Sequence, residues 1–401
     1  MPESHTPTSA GDPNIAVAQP ASRPTRLPAL DVLRGIAILG TLGTNVWILT
    51  NPAGLVGYLT RFDAPDGWWL WAERVLQQLA QGKFLGLLTI MFGIGLAIQQ
   101  RSAARAGRAW PGGYPWRAAL LFLDGVLNFV LVAEFDVLMG YAATGAVVAF
   151  LLATGERARR RWLIGAAAVH TAMLTILAVG MATAPQSDSL TPHAPRPNPY
   201  AEGSFWDLVL FRLEHAGLFR LEALFVFPMS IALFLLGARL FRAGLFEATG
   251  ARLRRRLLIL GFGVAAPLDL ALGLWERDLI LVTRYGTAPL VALGILALVA
   301  AFYAHRTGTG WVGRRFAEVG RMALSCYILQ NLIGSALCYG WGLGLAARVS
   351  ADARVPFTVA IHLFVCAVMV VFAHLWLRRF ERGPVEWLWH TSYRALVRAD
   401  R

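Results

Sequence analysis

The sequence is poor in three things that soluble proteins use freely: cysteine, lysine and charge. Of its 401 residues only Cys326, Cys338 and Cys366 are cysteines, all inside apolar runs, and the first two stand twelve positions apart on one predicted helix. Twelve helical steps cover roughly 18 Å, far beyond disulfide reach. No paired-cysteine spacing for zinc or an iron–sulfur cluster is present, so the three read as small packing residues and no metal site is expected. The familiar soluble-enzyme motifs are missing as well: there is no His-Glu-x-x-His, no Gly-x-Ser-x-Gly, no P-loop and no deaminase-type Cys/His set. The eight histidines do not cluster, and those inside apolar runs (His170, His362 and His374) read as hydrogen-bonded packing residues.

What is abundant is apolar sequence. Hydrophobic residues make up 56% of the chain and charged ones 15%, and the mean hydropathy is +0.53. That balance excludes an ordinary soluble domain. The apolar residues come in runs of about 20, the length that crosses a hydrocarbon core roughly 30 Å thick. A net charge of +13 raises the question of nucleic acid. The arginines, however, fall in short loops between apolar runs, where the positive-inside rule predicts them, so nucleic acid is set aside.

Residues 1–27 are rich in Pro, Ala, Ser and Thr and read as a disordered cytoplasmic tail. Ten spans follow, at 28–50, 75–98, 116–133, 137–154, 162–183, 218–240, 255–275, 280–303, 320–345 and 355–377. With a cytoplasmic N-terminus, 26 arginines lie inside and eight outside. The expected fold class is therefore all-α: a polytopic transmembrane helix bundle of about ten helices, both termini cytoplasmic. The Pro-rich external connection 184–217 separates an N-terminal five-helix half (28–183) from a C-terminal one (218–377), and 378–401 forms a cytoplasmic tail. Five is odd, so the second half enters the membrane in the opposite sense, as in inverted-repeat transporters.

Polar groups inside spans are where function is sought, because a buried charge costs about 2.5–3.5 kcal/mol at a helix centre on insertion scales. Arg34, a turn inside the first helix, can snorkel, bond Asp31 three residues earlier, or grip a phosphate. Lys83, the single lysine, begins the apolar part of the second helix, either because a compact ammonium is wanted there or because it snorkels outward. Asn128 lies in the outer half of the third helix, and Glu134 and Asp136 follow in a tight external turn. Those carboxylates are either solvated or turned inward toward Lys83. Asn45, Glu222, Asp269 and Arg284 with Tyr285 add outer-half polarity, together suggesting a cavity that opens outward. On the ninth helix Ser325, Gln330, Asn331 and the run Gly340, Gly342, Gly344 read mainly as helix packing, as do Gly93 and Gly95.

These residues carry a resemblance. LDVLRGIAILG followed by Asn45, GKFLGLLTIMFGIGLA, FDVLMGYAATG, GRMALSCYILQN with YGWGLGL, and GPVEWLWHTSYR resemble the YeiB-type bacterial inner-membrane proteins over roughly residues 27–395. That family is similar to the transmembrane acyltransferase superfamily through the Leu-Arg-Gly opening of the first helix. The resemblance implies a multi-pass protein of the bacterial cytoplasmic membrane that takes an acyl group from cytoplasmic acyl-CoA, a cosubstrate rather than a bound cofactor. The acceptor would be a glycan or lipid-linked molecule at an outward-facing site, and Arg34 occupies the matching family arginine. Two positions depart from the pattern, for Asn128 and Asn45 stand where histidines are usual, and an asparagine cannot take a proton near neutral pH.

Two functional classes follow. As an acyltransferase, the chain would use Lys83 for oxyanion charge, Asn45 and Asn128 to orient substrate, Asp136 as orienter or base, and Arg34 with loop arginines at the CoA phosphates. Glu222, Arg284, Gln330 and Asn331 would complete the substrate site. As a transporter or lipid carrier, it would use the same cavity without bond chemistry. The bilayer is one partner, and a second copy of the chain, as a homodimer, is left open.

Overall fold

The computed structural model describes residues 27–399 apart from 61, 63, 64, 184–195, 276–278 and 307, so the N-terminal tail before Leu27 and most of the Pro-rich run lie outside the described residues. Fifteen helices are described: α1 (Pro28–Leu49), α2 (Gly54–Thr60), α3 (Gly67–Ala80), α4 (Lys83–Arg105), α5 (Tyr114–Leu131), α6 (Leu138–Ala153), α7 (Glu156–Thr183), α8 (Phe205–Glu214), α9 (Ala216–Arg242), α10 (Ala248–Trp275), α11 (Ile280–Tyr303), α12 (Gly310–Arg321), α13 (Ala323–Cys338), α14 (Ala351–Leu377) and α15 (Pro384–Ala399). Among the described residues there is no strand. Long apolar segments take this form because a helix satisfies its own backbone polar groups where no water is at hand. Seven helical segments are long and apolar enough to cross a bilayer, with α3 and α4 counted as one broken helix, and α6 and α13 are shorter apolar helices.

Every span expected from the sequence falls on a helix, with two corrections. The second is interrupted at Gln81–Gly82, where Gly82 adopts φ +71° and the backbone of Arg284 leaves no room for a Cβ. The ninth is two helices, α12 and α13, joined at Met322. Its glycine run is not helical: the Gly340 N–H donates to the Tyr200 carbonyl at 2.8 Å, so this segment packs against the connection before α8 instead of against another helix. The tail 378–401 also holds structure, since α15 occupies most of it and packs on α5 and α13.

The core lies around α1 and α4. α1 touches α4, α12, α13 and α14, while α4 touches α6, α9 and α11, so the halves on either side of the Pro-rich loop share one core. Between helices in lipid the attraction is close packing rather than the hydrophobic effect. Accordingly α1 and α12 cross where Gly35 meets the Phe316 backbone and Gly320 meets that of Asp31. Gly93 and Gly237 do the same for α4 and α9, whereas Gly95 has open space before it. Helices α7, α10 and α14 form the rim: in its most apolar window α1 buries 72% of residues and α7 only 11%.

The connections gather at two ends. At one, Arg117 donates to Gln99, Arg242 to Gln100 and Arg321 to the Glu381 carbonyl. At the other, Asn198 donates to the Pro52 carbonyl and Tyr200 to Glu134. The first is the basic end below, the second the far end.

Candidate functional site

A cavity of about 600 Å³ opens toward the far end between α1, α2, α4, α7, α9 and α11. Its polar wall contains Asn45, Gln81, Glu222, Arg284 and Tyr285, and the rest is largely leucine, isoleucine and phenylalanine. Arg284 donates to Glu222 Oε1 at 3.0 Å, and the Tyr285 hydroxyl donates to the same oxygen. Asn45 Nδ2 donates to Asn331 Oδ1 at 3.2 Å, bracing α1 against α13. Gln330 is fully buried beside it, donating weakly to Thr41 Oγ1 at 3.5 Å, with its Oε1 unpartnered. A small, mainly apolar pocket adjoins, with Thr89, Asp136, Tyr141, Thr144, Arg220 and Glu222 among its lining residues. There Asn128 Nδ2 donates to Asp136 Oδ1 at 2.8 Å and the Met139 N–H to Oδ2 at 3.2 Å. Asp136 sits in the turn between α5 and α6, where burial raises its carboxyl to about 6 against the pull of those hydrogen bonds and Arg220.

A second cavity, of about 400 Å³, opens toward the basic end, and Arg34, Gln99, Tyr114, Arg117, Arg321 and Trp389 are among its lining residues. Arg34 bonds Asp31 at 3.2 Å on the preceding turn, yet its side chain stays over a third exposed. Arg117 lies over the Tyr393 ring at 4.6 Å and the Trp389 ring at 5.8 Å, which ties α5 to α15. Glu386 closes this wall, accepting from the backbone N–H groups of Leu324 at 2.7 Å and Ser325 at 3.1 Å and from the Ser325 hydroxyl. A carboxylate there complements the positive end of α13. The two cavities share one lining residue, Tyr327, which is 3% exposed and stands between them.

Not all expected site residues join these cavities. Lys83 neither snorkels nor faces the α5–α6 turn: its ammonium is 2.5 Å from Asp269 and donates to the Gln78 carbonyl at 2.5 Å. Asp269 also accepts from Gln78 and from Thr287, so both its oxygens are engaged at zero exposure. Glu134 is not solvated; it is paired with Arg212 at 3.2 Å and accepts from Tyr200. The reason is the same in both cases, because a buried charge needs a partner in reach, and α8 and α10 supply one that loop spacing does not reveal. His215, at the α8–α9 junction, bonds the Phe211 carbonyl of its own helix. Among the described residues no group of three or more His, Cys, Asp or Glu is placed to hold a metal ion.

Sequence reasoning passed over Tyr327, Gln99, Tyr114, Glu386 and Trp389. A usable signal existed only for the last two, in the GPVEWLWHTSYR segment, whose amphipathic pattern marks a packed helix.

Fold and cavities together define a helical bundle of membrane type with one cavity toward each end, each apolar with a few polar groups in its wall. The chain belongs to the YeiB family: it is 30% identical over 388 residues to the uncharacterized protein YeiB of Escherichia coli (strain K12), covering 90% of this chain and 94% of that one. It is also 26% identical over 392 residues to the uncharacterized protein YxaH of Bacillus subtilis (strain 168), covering 93% and 96%. Residues 240–395 match the family model described as a protein of unknown function, DUF418.

Proposed function

We propose that the protein is a ten-span acyltransferase of the bacterial cytoplasmic membrane, with both termini and the basic end in the cytoplasm. The observation that carries this is the pair of cavities with Tyr327 between them. A donor in the basic cavity and an acceptor in the far cavity would approach each other there without either crossing the bilayer. Arg34, Arg117 and Arg321 suit the phosphates of acyl-CoA. The acceptor hydroxyl oxygen attacks the thioester carbonyl, the carbon–oxygen bond forms and the carbon–sulfur bond breaks. The hydroxyl proton passes to Asp136 and from there to the departing CoA thiolate. Asp136, in the pocket adjoining the acceptor cavity, is the better base of the two carboxylates, since burial raises it to about 6 whereas Glu222 is ion-paired with Arg284. Asn45, held by Asn331, orients the acceptor. Lys83 is left out, because its buried ammonium is engaged by Asp269 and the Gln78 carbonyl.

A second reading has one observation in its favour: Asn45 and Asn128 bond Asn331 and Asp136 and offer no proton-transfer group where the family resemblance expects histidine. On it, the same cavities serve a lipid or solute carrier. The two are separated by mass-spectrometric measurement of free CoA from acetyl-, succinyl- and longer acyl-CoA with protein in nanodiscs. Release that weakens in Arg34→Ala and is mostly lost in Asp136→Asn is expected; no release from any donor would overturn the transferase reading.

A further inference from the structure

The far cavity is amphiphilic in a way that specifies its ligand. Its polar wall holds one carboxylate and one guanidinium bonded to each other, so it presents no net charge. The carboxylate is not saturated, since the Glu222 side chain is 46% exposed. An open carboxylate two turns into the apolar helix α9 needs polar company there. Groups that both donate and accept, as sugar hydroxyls do, answer such a mixed pair. A headgroup with only a phosphate would face Glu222, and one with only an ammonium would face Arg284, with like charge.

The remaining wall is mostly apolar, with Leu177 on α7, Leu218, Leu221 and Phe225 on α9, and Ile280 and Leu281 on α11, beside the hydroxyls of Thr41, Thr44 and Thr60. Among the lining residues, Leu59, Leu218 and Leu221 are each more than half exposed and form an accessible apolar rim. A water-soluble ligand would leave that rim in contact with solvent, whereas a ligand with an acyl or prenyl tail continues it into the lipid. The volume, about 600 Å³, suits a headgroup and the first part of a chain.

We infer that the far cavity binds an uncharged glycolipid, its sugar at Glu222 and Arg284 and its chain leaving past Leu218 and Leu221 into the membrane. This deepens the reading of that cavity as the acceptor site and rests on it for the word acceptor, though not for binding.

The test is photolabelling in nanodiscs of phosphatidylcholine and phosphatidylglycerol, with a glucosyl glycerolipid carrying a diazirine near the start of its tail. Identically tagged phosphatidylcholine and phosphatidylglycerol serve as comparison probes. The glucosyl probe is expected to label residues 218–225 and 280–285 above the other two. Leu221→Trp, which fills the mouth, should lower that labelling about tenfold, the ratio equivalent to about 1.4 kcal/mol. Glu222→Gln, a milder change, should remove the preference for sugar. Equal labelling by the charged or zwitterionic probes, label spread evenly over the outward face of α14, or labels unchanged in both variants would overturn the inference. Labelling needs no acyl donor, so glycolipid binding without CoA release would refute the transfer reading alone.

Discussion

Two kinds of charge cluster sit inside this bundle, and they differ in how completely their atoms are used. Around Lys83 and Asp269, and around Glu134 and Arg212, every charged group is nearly inaccessible and the carboxylate oxygens are all engaged. Around Glu222 and Arg284 the pair lines a cavity, and the Glu222 side chain is 46% exposed. The first kind joins helices; the second is available to a ligand. Residue type and depth do not separate them, because saturation of hydrogen bonds does.

The largest expected effect is on the sealed kind. Asp269→Ala leaves Lys83 buried without a counter-charge and should cost about 3–5 kcal/mol, read as a fall in unfolding temperature and folded yield. Lys83→Met with Asp269→Leu should recover most of that loss; a double variant as unstable as the single one would mean the site needs charge for a further reason. On the open side, Arg34→Ala should raise the acyl-donor KM about ten- to hundredfold, from about 1.5–3 kcal/mol for hydrogen bonds to a charged group, with the unfolding temperature unchanged.

Asp136 supplies a pH signature. Because burial lifts its carboxyl to about 6, it is protonated and unable to take a proton below that value. CoA release should therefore fall as pH drops through about 6, and Asp136→Asn should abolish that dependence along with most of the rate. A profile identical in the variant would remove Asp136 from the chemistry. Arg117→Lys gives up stacking on Tyr393 and Trp389 and should loosen α15 by about 0.5–1 kcal/mol, seen as faster hydrogen exchange in residues 384–396. A comparably small effect belongs to the open pair: Glu222→Ala with Arg284→Ala should shift stability by no more than about 1 kcal/mol. A loss as large as at Asp269 would erase the distinction between the two kinds.

The sequence made the apolar helices legible because bilayer thickness acts directly on composition, and Asn45, Glu222 and Arg284 stood out as polar interruptions that do share a cavity. Pairings were not legible. Lys83 meets Asp269 through the rotation of helices that are apolar nearly all round, and such helices carry no moment from which rotation can be read. The turn at Met322 was hidden because methionine is no helix breaker. Tyr327 looked like one more aromatic in an apolar run, and only the packing of α13 puts it between two cavities.

The most direct test is sided. Protein in sealed proteoliposomes of known orientation would be given radiolabelled acyl-CoA on one face and a glycolipid acceptor in the opposite leaflet. Label should reach the acceptor only when the donor is on the face carrying Arg34 and α15, and Tyr327→Trp, which fills the junction, should stop it while leaving donor binding intact. Acceptor labelled equally from either face, or never labelled from any donor while glycolipid still binds, would contradict transfer between the two cavities past Tyr327.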